Sequence, residues 1–221
     1  MTRRLLVAIT AVVALLGFAG ATFLYDRSTE EKRATAASPQ DHVFVRAHSP
    51  VVGPENAPVT IVEFFDPACE ACRAFYPVVK QIMAAFPEQV RVVLRYTAFH
   101  KGSDEVVRIL EAARLQGVFE LVLEAVLKAQ PAWAAHDTPD LAKAWEAAGG
   151  AGLDLQKARA DMLMPDITAV LNQDMADVQA VGVSQTPTFF VNGKPLPSFG
   201  AQQLYDLVER EVRAAGGRPN E

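Results

Sequence analysis

The sequence predicts an α/β fold that is interrupted by an all-helical insert. A strand–helix–strand pattern occupies residues 59–96, helical patterns fill residues 100–180, and a strand pattern with a tight turn returns at residues 188–197. Strand, helix and strand in this order are typical of two parallel strands joined by a crossover helix. We therefore expect residues 42–99 and 181–215 to form one core, into which a helical subdomain is inserted.

The first half of the core begins with a turn-forming segment at residues 53–58, followed by the apolar run Val59–Phe65. Because this run is rich in β-branched residues and is bounded by turn signals, it predicts a strand that is buried on both faces. A short edge strand is expected before it, at residues 42–46. After a helical pattern the next strand is predicted at Val90–Tyr96, where Arg91 and Arg95 lie on the opposite side from Val92 and Leu94.

The helices of the insert are predicted from apolar residues that recur at steps of three and four. They lie at residues 106–113, 118–129, 138–150 and 166–180. The third begins at Thr138, a capping residue that is followed by a proline at the first helical position. A closing amphipathic helix is expected after the last strands. Trp133 and Trp145 are assigned to the core of the insert.

The composition excludes several classes of function. The chain has 221 residues, half of them hydrophobic, and a formal net charge of −5. No run of lysine or arginine extends beyond the pair Arg3-Arg4, so the basic stripe of a nucleic-acid-binding protein is missing. The four histidines are scattered and show no ligand spacing, and a structural zinc site needs about four ligands. No metal site is therefore predicted.

The N-terminal segment predicts export from the cytoplasm. Two arginines precede residues 5–25, which carry no charge and suit a membrane-spanning helix that leaves the remainder facing outward. An Ala-Gly-Ala pattern that ends at Ala21 also allows cleavage by a signal peptidase. We expect an uncleaved anchor, with cleavage near Ala21 as the alternative. Both place the following domain in the periplasm or another extracytoplasmic compartment. Residues 26–41 predict a polar tether, and residues 216–221 a tail.

Cys69 and Cys72 are the only cysteines. Two cysteines separated by two residues form a redox pair, a metal-binding pair or a chance arrangement. Both residues follow a buried strand at the start of a helix, where unpaired N–H groups and the helix dipole favour negative charge. Disulfide exchange needs an accessible thiolate and a second thiol that resolves the mixed disulfide. Cys69 is therefore predicted as the attacking nucleophile, and Cys72, one turn further and facing inward, as the resolving thiol.

Glu63 lies inside the first apolar strand, six residues before Cys69. Burying a carboxylate costs several kcal/mol unless it is paired or protonated. The functional interpretation is a proton acceptor for Cys72 with a raised pKa. The alternative is that Glu63 points to a sheet edge and is solvated.

Two segments carry a family resemblance. Residues 53–72 resemble the active-site segment of DsbA-type thiol–disulfide oxidoreductases, and residues 182–193 resemble their cis-proline loop. The resemblance covers roughly residues 50–215 and includes the helical insert. It implies a thioredoxin fold and a cis Thr186-Pro187 bond opposite Cys69, with Thr186 binding an extended substrate chain by strand addition.

The resemblance also implies partners. These are the thiols and disulfides of secreted or periplasmic proteins, and a membrane redox partner that recycles the pair. No cofactor is implied beyond the redox-active disulfide itself. The isomerases of the family carry a dimerisation domain, for which residues 26–41 are too short and polar, so a monomeric soluble domain is expected.

The chain departs from the best-known oxidase of this family, which has Pro-His between its cysteines. Here the pair is Glu70-Ala71. Because a carboxylate beside Cys69 opposes the thiolate, a weaker oxidant is predicted. Whether the enzyme oxidises, reduces or isomerises its substrates stays open. His100, after the second strand, is expected to be a surface loop residue, with a place in the lining of the site as the alternative.

Two other functions remain open at this point. One is a copper(I) metallochaperone that binds its metal through the two cysteines, because thiolates favour copper(I). The other is a peptide-binding chaperone whose redox pair is incidental.

Overall fold

The structure, a computed structural model, describes residues 41–217. One sheet with the order β1-β3-β2-β4-β5 is formed by the strands β1 (Val51–Val52), β2 (Val59–Phe65), β3 (Val90–Tyr96), β4 (Thr188–Val191) and β5 (Lys194–Pro195). The helices are α1 (Asp41–Phe44), α2 (Glu70–Ala85), α3 (Ser103–Leu115), α4 (Phe119–Trp133), α5 (Leu141–Gly150), α6 (Leu155–Asp161), α7 (Pro165–Val181) and α8 (Ala201–Ala214).

Strand β2 is paired on both sides, which confirms that the apolar run forms a central strand. It runs parallel to β3 and antiparallel to β4, so that Glu63 lies between Leu94 and Phe189. Helix α2 is the crossover between the two parallel strands. Its N-terminus follows the carboxyl end of β2, and the cysteines are therefore placed at that end of the sheet.

The predicted edge strand at residues 42–46 is wrong. Residues 41–44 form the one-turn helix α1. The edge position beside β3 is occupied by β1, which pairs with it in the antiparallel sense. Phe44 is buried against the rings of Phe64 and Phe190, and this packing explains why an apolar residue occurs there.

The two faces of the sheet carry separate apolar clusters. Ile61 and Phe65 face the larger one, which includes buried residues of α2, α8 and the insert. Val62 and Phe64 face a smaller one. Because side chains alternate along a strand, Glu63 shares the face of Ile61 and Phe65.

Arg95 of β3 is fully buried, which the sequence did not predict. A buried charge requires partners, and α7 supplies two of them. The Arg95 Nη2 atom lies 2.8 Å from Asp174 Oδ1 and 2.5 Å from Asp177 Oδ2. Asp174 also accepts a hydrogen bond from the Tyr96 backbone at 2.8 Å. These contacts fasten α7 to the sheet just before Gly182, which ends the helix with φ 76°.

Helices α3 to α7 fill the stretch between β3 and β4, which confirms an α/β fold with an all-helical insert. The start of the third predicted helix is wrong, because Asp140 and not Thr138 precedes its first turn. Helix α6 was not predicted. It has seven residues and too little periodicity, although Asp154 caps it by accepting from Lys157 N. Trp133 and Trp145 are buried, as expected.

Among the described residues, no helix combines the length and the apolar character needed to cross a membrane. The predicted anchor or signal segment, residues 5–25, lies outside the described residues, as does the tether up to residue 40.

Candidate active site

Cys69 occupies the N-cap position of α2, with an extended backbone at φ −74° and ψ 121°. Its amide donates to Asp66 O at 3.1 Å, and its carbonyl oxygen accepts from Arg73 N at 3.1 Å. An N-cap side chain faces the unpaired N–H groups of the first turn. A sulfur atom in this position gains most from those donors as a thiolate.

Cys72 lies one turn further along the same helix and is a free thiol, like Cys69. Cys69 retains 7% exposure, whereas Cys72 has none. The Asp66 backbone N–H donates to Cys72 Sγ at 3.5 Å. Of the two cysteines, only Cys69 therefore has surface that solvent can reach.

The pKa values of the two thiols shift in opposite directions. The pKa of Cys69 is lowered to about 5, chiefly by a hydrogen bond from the Cys72 thiol. The side chain of Thr186 and the backbone N–H groups of Ala71 and Cys72 act in the same direction, and burial opposes them. The pKa of Cys72 is raised, first by burial, then by its hydrogen bond to Cys69 and by the nearby charge of Glu63. At neutral pH the pair therefore consists of an accessible thiolate and a buried thiol.

This difference predicts selective alkylation. In the reduced protein, brief iodoacetamide treatment at pH 7 should label Cys69 and spare Cys72, and the rate should follow the thiolate fraction with a midpoint near pH 5. Peptide mass spectrometry after quenching gives the site. The control is Cys69→Ser, in which Cys72 should stay almost unlabelled. Preferential labelling of Cys72 would exchange the two roles.

Glu63 is buried in the central strand and has 4% exposure. Within the described part of the chain, its Oε1 atom has no hydrogen-bond partner. Burial raises the pKa of Glu63 to about 8, and the negative charge of Cys69 adds to this. The solvated-edge alternative is wrong, because β2 has a neighbouring strand on each side. Glu63 can therefore change its protonation state near neutral pH.

The loop before β4 lies opposite the nucleophile. Its Thr186-Pro187 peptide bond is cis, as the resemblance implied. The Sγ atom of Cys69 lies 3.2 Å from the Thr186 carbonyl oxygen, to which the protonated thiol donates. A groove of about 120 Å³ adjoins this loop, and its lining includes Pro187, Phe189 and Phe199.

Asp66 is a site residue that sequence reasoning missed. Its buried carboxylate accepts hydrogen bonds from the Ala68 backbone and the Ser103 hydroxyl through Oδ1. Through Oδ2 it accepts from the backbones of Phe99 and His100, at 2.9 and 3.0 Å. It therefore ties the cysteine loop to the segment after β3. The sequence signal that could have identified Asp66 is an acidic residue directly after a buried strand.

His100 lies in a loop after β3, as expected, but it is only partly exposed and also lines the site, because its Nδ1 atom lies 2.7 Å from Asp66 Oδ2. Burial alone would lower the pKa of His100, but the hydrogen bond and charge of Asp66 outweigh it, and the charge of Cys69 adds to them. The net effect is a raised pKa. A second histidine lies nearby, since the ring centroids of His100 and His136 are 6.1 Å apart.

Glu70 is exposed and pairs with His136, whose Nε2 atom lies 3.4 Å from Glu70 Oε1. The histidines that looked scattered along the sequence therefore include two beside the cysteines. When His136 is protonated, it offsets part of the negative charge next to Cys69. That Glu70 and Ala71 make the pair a weaker oxidant stays a prediction. Among residues 41–217, no group of three or more His, Cys, Asp or Glu side chains is arranged to hold a metal ion.

Comparison with known proteins identifies the family. The sequence matches the family described as Thioredoxin over residues 46–209. The chain belongs to the thioredoxin family. This thioredoxin-family protein is similar to a thioredoxin-like oxidoreductase from Silicibacter pomeroyi DSS-3. The two are 32% identical, with a TM-score of 0.68, over 80% of this chain and 99% of the other.

The fold is also shared with α-DsbA1 from Wolbachia pipientis, which is 14% identical with a TM-score of 0.71, over 80% of this chain and 98% of that one. These findings confirm the thioredoxin fold that the resemblance implied. A relative of another kind is a Na⁺/H⁺ antiporter NhaA from Herminiimonas arsenicoxydans, 31% identical over 73% of this chain. The chain spans about a quarter (25%) of the length of that curated relative.

Proposed function

We propose that this protein is an extracytoplasmic thiol–disulfide oxidoreductase that exchanges disulfides with protein substrates through Cys69 and Cys72. The observation that carries the proposal is the asymmetry of the pair. One cysteine has reachable surface and a pKa lowered to about 5, and the other is buried with a raised pKa. Such an arrangement separates the attacking thiolate from the resolving thiol. The similar protein from Silicibacter pomeroyi, described as a thioredoxin-like oxidoreductase, supports the same class.

The first step is attack by the Cys69 thiolate on one sulfur of a substrate disulfide. A bond forms between Cys69 and that sulfur, the substrate S–S bond breaks, and the other substrate sulfur leaves as a thiolate that takes a proton from water. The hydrogen bonds that lower the pKa of Cys69 keep the attacking sulfur ionised at neutral pH.

The second step is resolution. Glu63 accepts the proton of Cys72, whose sulfur then attacks Cys69 Sγ and closes the Cys69–Cys72 disulfide. The second substrate sulfur leaves as a thiolate and is protonated. Two electrons pass from the cysteine pair to the substrate, and the same steps in reverse oxidise a substrate dithiol. A pKa of about 8 lets Glu63 exist in both protonation states at the working pH.

The substrate is an extended polypeptide that lies along the loop of Thr186 and Pro187. Strand addition supplies main-chain hydrogen bonds, and side-chain pockets beside the strand add selectivity. The groove that Phe189 and Phe199 help to line accepts an apolar side chain close to the reacting cysteine. A membrane redox partner would then restore the starting state of the pair.

Equilibration of the purified full-length protein in a glutathione series tests the proposal, with a disulfide peptide as substrate. We expect one two-electron transition between dithiol and disulfide, and turnover that Cys69→Ser abolishes. Titration with copper(I) against a chelator is run in parallel. Tight binding of one copper ion by the reduced pair, together with no peptide exchange, would identify a metallochaperone instead.

A further inference from the structure

Gln130 connects the helical insert with the backbone of the nucleophile. It lies in α4 and has 1% exposure. Its Nε2 atom donates to the carbonyl oxygens of Pro67 at 2.8 Å and Cys69 at 2.9 Å. Its Oε1 atom accepts from Arg73 Nε at 2.8 Å. Both N–H groups and the carbonyl oxygen of the side chain are therefore used.

The two carbonyl groups that Gln130 binds flank the peptide segment that leads into Cys69. Buried carbonyl groups need donors. Without Gln130 the Pro67 carbonyl would lose this donor, whereas the Cys69 carbonyl would still accept from Arg73 N at 3.1 Å. A primary amide is the side chain that can donate twice and still accept from Arg73. Cys69 and Gln130 are 61 residues apart in the sequence. The contact therefore joins the helical insert to the active-site loop, which no short sequence motif connects.

We propose that Gln130 is a positioning residue through which the helical insert holds Cys69 in its reactive conformation. The inference rests on the proposed function, because it concerns the nucleophile of that reaction. Fixing the carbonyl groups of Pro67 and Cys69 restricts the backbone torsions on both sides of the N-cap. Those torsions decide whether Sγ faces the N–H groups of Ala71 and Cys72. Under this proposal, the insert helps to stabilise the Cys69 thiolate.

Two uncharged substitutions test this role without adding a charge near the sulfur. Gln130→Met keeps the length of the side chain and removes both donors, and Gln130→Asn keeps the amide but shortens its reach. The readouts are the pKa of Cys69, from thiolate absorbance in the ultraviolet, and the reduction potential in a glutathione series. Both variants should raise the pKa of Cys69 by about one unit. The dithiol should become about tenfold less favoured, which corresponds to about 30 mV towards more reducing values.

The matched control is Gln116→Met. Gln116 also makes two hydrogen bonds to a main chain, those to Asp154 at 3.2 and 2.9 Å, but both lie inside the insert. It should leave the pKa and the potential of the pair unchanged. Folded Gln130 variants with wild-type pKa and potential would overturn the inference, and so would unfolding of both variants, because Gln130 would then be purely structural. A wild-type protein that exchanges no disulfide would instead refute the proposed function.

Discussion

Glu63→Gln should slow the resolution of the mixed disulfide by about 100-fold, while attack by Cys69 continues at nearly the wild-type rate. The amide keeps the shape of the side chain but cannot accept the proton of Cys72, whose pKa burial raises. In a single-turnover reaction with a disulfide peptide, the covalent adduct on Cys69 should accumulate and then decay slowly. Acid quenching and intact-protein mass spectrometry measure both phases.

Two further variants serve as controls for this experiment. Cys72→Ala cannot resolve the adduct and sets the upper limit for its accumulation. Glu124→Gln makes the same substitution at an exposed residue that pairs with Lys80, and it should behave as wild type. Equal decay rates in Glu63→Gln and the wild type between pH 6 and 8 would show that another group takes the proton of Cys72.

The stability of the reduced protein should depend on pH in opposite ways in two variants. Folding raises the pKa of Glu63 from 4.5 to about 8, so the folded state holds an extra proton in this range and loses stability as the pH rises. Folding lowers the pKa of Cys69 from 9.0 to about 5, so the folded state lacks a proton there and gains stability as the pH rises. In the wild type these two contributions to the pH dependence of the free energy of unfolding oppose each other between pH 5 and 8.

Each substitution removes one of these two contributions to the pH dependence. Relative to the wild type, Glu63→Gln should gain free energy of unfolding as the pH rises from 5 to 8, by at most about 1.4 kcal/mol per pH unit. Cys69→Ser should lose it over the same range. Urea denaturation under a reductant at four pH values measures both. The comparison of Glu63→Gln with the wild type cancels the contribution of His100, whereas Cys69→Ser also removes a negative charge that raises the pKa of His100. The double variant is the control, since apart from this change at His100 it should follow the wild-type profile.

Identical pH profiles in the wild type and both single variants would contradict the assigned shifts. A change in Cys69→Ser alone would leave the nucleophile as proposed and remove the support for a protonated Glu63.

The sequence was sufficient where a local pattern determines the structure. The apolar run of β2, the helix that begins at the cysteines and an acidic residue in a buried strand are all short-range signals. The sequence alone therefore marks Glu63 as unusual. The same reasoning failed at residues 42–46, because a short apolar stretch does not reveal whether an edge position is already occupied by β1.

The remaining site residues could not be read from the sequence, because their partners are distant along the chain. Arg95 looks like a solvent-facing residue until Asp174 and Asp177 are placed beside it, about 80 positions later. Gln130 and His136 belong to helical and loop segments without a motif. Only the packing of the insert on the sheet brings them to Cys69 and Glu70.

The attachment of α7 to β3 by Arg95 has an evolutionary consequence. Since Asp174 and Asp177 anchor α7 immediately before the cis-proline loop, the position of that loop depends little on the helices that precede the anchor. The helices α5 and α6, which follow Gln130 and precede this anchor, can therefore be lengthened, shortened or exchanged between homologues while the two halves of the catalytic centre stay in register. Changes in the sequence of these two helices are thereby separated from selection on the chemistry of the cysteines.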